Sequence, residues 1–292
     1  MSRSPVASLV ELATVDELRT WTRAQRAAGR RLALVPTMGA LHEGHLALVD
    51  QARLQADAVA MSIFVNPLQF GPNEDLARYP RDLPRDRRLA AERGVDAVFA
   101  PTVEIMYPSG AATRVIPGPT AERWEGAARP GHFIGVLTVV AKLFHLVEPD
   151  VAVFGQKDIQ QAVLIRQMVR DLDWPTELVI VPTVREADGL ALSSRNAYLD
   201  VAGRRSALGL SAALRAAHDA WRRGERNAEA IETRMRAVLE RYPGLAVEYI
   251  ALAEPDGLSP VAMTTGETVV AIAGRVGATR LIDNISLGQG IG

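Results

Sequence analysis

Short apolar runs alternate with helix-spaced apolar positions through the N-terminal part of the chain. Leu32-Ala33-Leu34-Val35 and Ala58-Val59-Ala60-Met61-Ser62-Ile63-Phe64-Val65 have the length and composition of buried strands. Between them Leu46, Val49 and Ala52 recur at helical spacing, which predicts a βαβ unit with a right-handed crossover. An earlier helix is predicted over 15–28, with Val15, Leu18 and Trp21 on one side and Gly29 at its end. The alternation continues with a helix over 84–93, a short strand over 96–101, an apolar helix over 136–146, a strand over 151–154 and a strand over 176–181. Residues 102–129 are loop-rich, with Pro108, Gly110, Pro117-Gly118-Pro119 and Gly126, and a loop of that length suits a lid or a dimer contact. After about Thr183 the pattern changes to Ala/Arg/Leu-rich helices over 202–223 and 227–241, then strand-like runs over 246–251, 267–273 and 279–285. Helices followed by strands make a separate small α+β unit. The expected class is therefore α/β, with a parallel-sheet domain over 1–183 and a smaller α+β C-terminal domain over 184–292.

Composition narrows the function classes. A chain of 292 residues falls where single cores stop growing, about 250–300 residues, so two domains are expected. Lys+Arg 33 against Asp+Glu 34 leaves a net charge of -1, which argues against a nucleic-acid partner. Cys 0 removes disulfides, thiolate nucleophiles and iron–sulfur sites. No apolar run reaches membrane-spanning length, and Met1-Ser2-Arg3-Ser4-Pro5 lacks a signal-peptide core, so a cytoplasmic enzyme without a membrane partner is expected. The positive charge is nearly all arginine; Lys142 and Lys157 are the only lysines, and a compact ammonium suits a mobile phosphate. Lys142 and His145 read either as buried stems with wet tips or as ligands, His218 as a surface residue, and most of the charges of 73–93 as a solvated face.

Chemistry concentrates at Pro36-Thr37-Met38-Gly39-Ala40-Leu41-His42-Glu43-Gly44-His45, where a strand passes through glycine into a helix. A helix N-terminus offers N–H groups to an anion, and His42 and His45, three apart, add donors. One packed and one solvated histidine is the competing reading. Zinc is disfavoured: the chain has neither an HExxH pattern nor a cysteine. Asn66 and Gln69 follow the second strand at the same carboxyl edge and suit a hydroxy acid or its carboxylate, or a plain polar loop. A second strand-to-helix corner, Gly155-Gln156-Lys157-Asp158, places Lys157 where it can reach phosphate, with Gln161 one turn on; alternatively Asp158 only caps and Lys157 is solvated. Ser193-Ser194-Arg195 is a compact donor cluster suited to phosphate oxygens, with an ordinary helix cap as the alternative.

The H-x-G-H signature is that of the nucleotidylyltransferase superfamily. Together PTMGALHEGH, SIFVNPLQF, FGQKDIQQ, VREADGLALSSRN and the closing TRLIDNI resemble the pantothenate synthetase (pantoate–β-alanine ligase) family over essentially the whole chain. The resemblance implies a Rossmann-like N-terminal domain binding nucleotide and pantoate, and a C-terminal lid. It implies joining of (R)-pantoate to β-alanine with ATP becoming AMP and pyrophosphate, through a pantoyl adenylate. It also implies a homodimer joined through the larger domain. By matching motif, Met38, Gly39, Ala40, Leu41, His42, Glu43, Gly44 and His45 would line ATP, with His45 as the acid on phosphate oxygen and His42 sharing the charge. Gly155, Gln156, Lys157, Asp158, Val184, Leu192, Ser193, Ser194 and Arg195 would also contact ATP, with Lys157, Ser193 and Arg195 as the phosphate clamp. Gln69 and Gln161 would hold pantoate, with Gln69 also near β-alanine. Mg2+ would ride on the ATP phosphates, with no protein metal cage. Gln156 and Leu192 depart from the family's more frequent glutamate and methionine, and both are volume-conserving. The competing functions are a nucleotidylyltransferase that makes no amide and a nucleotide sensor that releases no pyrophosphate.

Overall fold

The structure, a computed structural model, describes residues 9–72 and 74–291. Asn73 and the Met1–Pro5 stretch, judged to lack a signal-peptide core, lie outside the described residues. Within these residues the elements run β1 (Val10–Leu12), α1 (Val15–Ala27), β2 (Leu32–Thr37), α2 (Glu43–Gln55), β3 (Ala58–Ile63), α3 (Leu83–Arg93), β4 (Ala97–Phe99), α4 (Val103–Met106) and α5 (Glu125–Ala128). They continue α6 (His132–Val147), β5 (Val151–Gly155), α7 (Ile159–Asp171), β6 (Glu177–Val181), α8 (Val201–Arg222), α9 (Ala228–Leu239), β7 (Ala246–Ala253), β8 (Val269–Val276) and β9 (Thr279–Ser286).

The chain folds into two compact units, one built from the residues up to Gly155 with Leu164–Val181, the other from Gln156–Val163 with Pro182 onward. In the first unit, among the described residues, six parallel strands lie in the order β1-β4-β3-β2-β5-β6. This is the Rossmann-like sheet expected. Alternate residues of β2 serve opposite faces: Leu32 and Leu34 join α1 and α6 in one core, and Ala33 and Val35 join α2 and α3 in another. Cover on both faces explains why these strands read as unbroken apolar runs. Strand order reverses between β2 and β5, whose carboxyl ends lead into PTMGALHEGH and GQKD, the position where open α/β sheets bind ligands.

Two details of the first unit escape the hydropathy pattern. The edge strand β1 has three residues and one buried side chain, Leu12, so no alternation marks it. The loop-rich segment over 102–129 holds the single-turn helices α4 and α5, too short to show a period. Thr14 starts α1 with a capping box: its Oγ1 accepts from Glu17 N at 3.3 Å while Glu17 Oε2 accepts from Thr14 N at 2.9 Å. Helix α6 presses onto the loop after β3. A Cβ at Gly135 would lie 2.2 Å from Leu68 O and 2.5 Å from Gln69 N, both backbone atoms that no rotamer change can move aside.

In the second unit, among the described residues, β7-β8-β9 form an antiparallel sheet. Leu210 and Leu214 of α8 and Ile231 and Met235 of α9 share a core with Val270, Ile272, Leu281 and Ile285 of the sheet. His218 of α8, expected at the surface, is half-buried because its Nδ1 meets Leu287 O at 2.8 Å. The short turn 156–158 packs with this unit because Asn284 of β9 holds two of its carbonyls.

Candidate functional site

The corner after β2 is shaped by one carboxylate. Gly39 and Ala40 both take left-handed conformations, φ +81° and +51°, which turns the amides of Ala40 and Leu41 in the same direction. Asp86 of α3 receives them on Oδ2 and Oδ1, each at 2.8 Å, and is 1% exposed. Arg85 Nη1 donates to Leu41 O at 2.9 Å, fastening the same turn from outside. Paired N–H groups of this kind form an anion-binding nest, and here the anion is the protein's own. A Cβ at Gly39 would stand 2.8 Å from Asp86 Oδ2, so glycine is required there by space as well as by φ. Most of the charges of 73–93 were expected on a solvated face; Asp86 is not on it. The available signal was its spacing: Asp86 lies four residues before Ala90, and both are buried on one side of α3.

His42 caps α2. Its Nδ1 accepts from Gly44 N at 3.1 Å, and His45 Nδ1 accepts from His42 N at 3.4 Å. A ring nitrogen that accepts N–H carries no proton, so each neutral ring holds its proton on Nε2. The ring centroids lie 4.1 Å apart. Since the Ala40, Leu41 and Gly44 amides are bonded within the corner, an anion there is met chiefly by imidazole N–H. Glu43 is exposed and pairs with Arg93 of α3.

Beside this corner, Asn66 is 1% exposed and uses all its hydrogen-bonding positions inside the protein. Nδ2 donates to Gln69 Oε1 and to Gly135 O, each at 3.0 Å, while Oδ1 accepts from Tyr107 OH at 2.9 Å and Leu68 N at 3.3 Å. Asn66 therefore shapes the loop, contrary to its reading as a ligand. Gln69, 8% exposed, points Nε2 at Met38 Sδ at 3.1 Å, a weaker acceptor than a ligand oxygen. Its carbonyl accepts from His132 Nδ1 at 2.8 Å and Arg129 Nη2 at 3.3 Å. Arg129 in turn grips Glu74 through Nη2–Oε2 at 2.6 Å and Nε–Oε1 at 3.0 Å, and its Nη1 meets His132 Nε2 at 3.0 Å. Burial opposes ionisation of Glu74, but the Arg129 bonds outweigh it and hold the carboxyl below its ordinary range. Burial, reinforced by the Arg129 charge, pushes His132 down from 6.5 to about 4, so the ring is neutral. The sequence pattern alone assigns His132 no role.

In the second unit, Lys157 sits on a 3-10 turn over 156–158, with Nζ 3.9 Å from Asp158 Oδ1. Asn284 Nδ2 donates to the carbonyls of both Gln156 and Lys157 at 2.9 Å. Val184 and Leu192 close a hairpin through Leu192 N to Val184 O at 2.9 Å. Asn196 Nδ2 braces that hairpin at Glu186 Oε1, 2.7 Å, and Ala191 O, 3.0 Å. Ser193 Oγ accepts from Arg195 N at 3.2 Å and caps the 3-10 turn over 194–198. Ser193 therefore caps this short turn and not the next helix α8, which Asp200 caps; an accepting hydroxyl oxygen still leaves its O–H to donate. Ser194, Arg195, Gln156 and Gln161 are half-buried, and a Cβ at Gly155, the end of β5, would lie 4.0 Å from Leu48 Cδ2 of α2. His145 is exposed, while Lys142 is half-buried with Nζ 5.9 Å from the Tyr107 ring centroid. Among the described residues no group of three or more His, Cys, Asp or Glu is arranged to hold a metal, and no helix is long and apolar enough to cross a membrane.

A family model described as pantoate-beta-alanine ligase matches residues 11–286. A pantothenate synthetase of Moorella thermoacetica is 55% identical over 276 residues, 94% of this chain and 98% of that protein. One from Pelotomaculum thermopropionicum is 51% identical over the same shares. A crystal structure of pantothenate synthetase from Thermus thermophilus superposes with TM-score 0.89 at 50% identity, covering 95% of this chain and 99% of that one. A Francisella tularensis pantoate-beta-alanine ligase, complexed with a β,γ-ATP ligand and β-alanine, has TM-score 0.79 at 32% identity, covering 97% and 100%.

Asp86→Asn keeps the volume but faces one of the two amides with its own NH2. A buried N–H left unpaired costs roughly 1–3 kcal/mol, so hydrogen exchange at the Ala40 and Leu41 amides is expected to speed up; unchanged exchange contradicts the clamp. For His132, the unfolded ring takes up a proton below 6.5 while the folded ring stays neutral until about 4. The unfolded state binds more protons in that window, so stability falls with falling pH, by on the order of 3 kcal/mol in total. His132→Gln is expected to flatten the stability profile between pH 6.5 and 4, as read by urea unfolding; an unchanged slope contradicts the assignment.

Proposed function

The chain belongs to the pantoate-beta-alanine ligase family, and from that premise we propose how its residues divide the work. The enzyme joins pantoate to β-alanine in an ATP-dependent reaction. The observation that carries the site reading is the pair of Nε2–H imidazoles at the β2–α2 corner, beside the strand-order reversal and next to Met38 and Gln69.

In the first step a pantoate carboxylate oxygen bonds to the α-phosphorus of ATP and pyrophosphate leaves, giving a pantoyl adenylate. Negative charge grows on phosphate oxygens, where preorganised donors act best. Met38 to His45 line ATP, with His45 and His42 donating Nε2–H to those oxygens. This refines the reading of His45 as an acid, because its Nδ1 already serves the helix cap. Lys157, Ser193 and Arg195 clamp phosphate; Gly155, Gln156, Asp158, Val184, Leu192 and Ser194 complete the nucleotide contacts. Gln69 exchanges its thioether partner for a pantoate oxygen, and Gln161 holds the same substrate. In the second step the β-alanine amine attacks the acyl carbon, loses a proton and displaces AMP. An activated acyl group needs little beyond proximity and exclusion of water.

The donors assigned to phosphate are imidazoles, an ammonium, hydroxyls and a guanidinium, which suits Mg2+ arriving on ATP phosphates better than a protein cage. The family resemblance further supports a cytoplasmic homodimer, which light scattering of the purified chain checks.

AMP release is expected to need ATP, pantoate and β-alanine together in multiple turnovers. AMP release independent of β-alanine would undermine the ligase reading. A stable nucleotidyl product would favour a nucleotidylyltransferase, and ATP binding without pyrophosphate release a sensor. His45→Ala is expected to slow adenylation about 10²–10³-fold with a far smaller loss of ATP affinity; equal losses would remove its transition-state role.

A further inference from the structure

The TRLIDNI motif near the C-terminus has no place among the roles assigned to ATP, pantoate or β-alanine, yet its central doublet touches the Lys157 turn directly and, through Arg185, the hairpin that leads into Ser193–Arg195. Asp283 and Asn284 are adjacent on β9 and each 2% exposed, so their side chains leave opposite faces of one strand. Asn284 Nδ2 closes the Lys157 turn through the Gln156 and Lys157 carbonyls, both at 2.9 Å. Asp283 receives Arg185 Nη1 and Nη2 at 2.7 and 3.0 Å, and Arg185 Nη1 reaches Gly189 O at 3.2 Å. Arg185 also bridges to Ala191 across the hairpin that delivers Leu192 to Arg195. The hairpin and the turn therefore hang from consecutive residues of a single rigid strand.

Asn284 bears a cost for this. Its Oδ1 is buried with no hydrogen-bond partner among the described residues. Turning the amide over would set oxygen against two carbonyl oxygens, so the observed orientation is the one its neighbours allow. The side chain thus leaves its own acceptor unsatisfied while serving two backbone carbonyls.

We propose that Asp283-Asn284 is a positioning doublet that sets the Lys157 turn and the Ser193–Arg195 segment in register for ATP phosphates. The proposal rests on the phosphate-clamp reading of Lys157 and Arg195. Neither residue of the doublet touches substrate; each acts through the segment it holds.

A double-mutant cycle in the full-length enzyme tests it, with Asn284→Ala, Lys157→Ala and the pair, reading kcat and the KM values for ATP and pantoate separately. Two unpaired carbonyls free the turn, so Asn284→Ala is expected to lower kcat/KM for ATP roughly ten- to a hundredfold while the pantoate KM holds. In the Lys157→Ala background the same change is expected to add little, because its effect passes through Lys157. Full additivity, or a native ATP dependence of Asn284→Ala beside an impaired Lys157→Ala, overturns the doublet's role alone. A native ATP dependence of Lys157→Ala overturns the clamp reading and this proposal with it. If Asn284→Ala does not fold, Asn284→Ser, which keeps one donor, carries the same cycle with the same outcomes.

Discussion

One buried carboxylate and two backbone N–H groups hold the corner on which the proposed chemistry depends. A parallel strand that ends at its carboxyl edge must reverse into a helix without a sheet neighbour to satisfy its amides. Here the reversal uses two successive left-handed residues, and the second is Ala40, for which that conformation costs about 1–2 kcal/mol. Charge-assisted bonds to Asp86 offset the strain and aim the turn. The residues C-terminal to the turn inherit that aim: His42 as the cap, α2 as the axis, His45 one turn along. Met38, just before the turn, is left facing Gln69.

The second unit solves the same problem differently. Its Lys157 turn and Ser193–Arg195 segment are not elements of a sheet: Asn284 meets two carbonyls of the turn, Ser193 meets the Arg195 amide, and Arg185 and Asn196 hold carbonyls of the hairpin that precedes the segment. In both units the donors proposed for phosphate are carried on backbone held by a buried polar group, Asp86 in one and Asn284 in the other. Preorganisation of this kind is what a charge-building transition state rewards, since donors already in place need no reordering when the charge appears.

The strands and the motif helix were legible because burial on both faces writes unbroken apolar runs, as in Leu32–Val35 and Val151–Phe154. The motif residues were legible by resemblance, and by glycine at two strand-to-helix corners. What stayed hidden were the residues that hold the site from behind. Asp86 is one charge among Arg85, Arg87 and Arg88, and only its register with Ala90 sets it apart. Asp283 could have been found: between Leu281 and Ile285 on one face of a strand, a carboxylate at a core position requires a partner. Asn66 was legible as polar but not as saturated, because Gly135 and Tyr107, which complete its bonds, lie far along the chain. His132 meets Gln69 across a similar gap, and its near neighbour Arg129 is itself held by Glu74 from as far along the chain.

In the proposed mechanism the pantoate carboxylate itself bonds to the α-phosphorus before any amide forms. Pantoate labelled with 18O in both carboxylate oxygens, turned over with ATP and β-alanine in unlabelled water, tests it directly by mass spectrometry of the products. The account predicts that AMP carries one labelled oxygen and that pantothenate keeps the other. AMP free of label would show that the carboxylate is activated by some other route, and would contradict it.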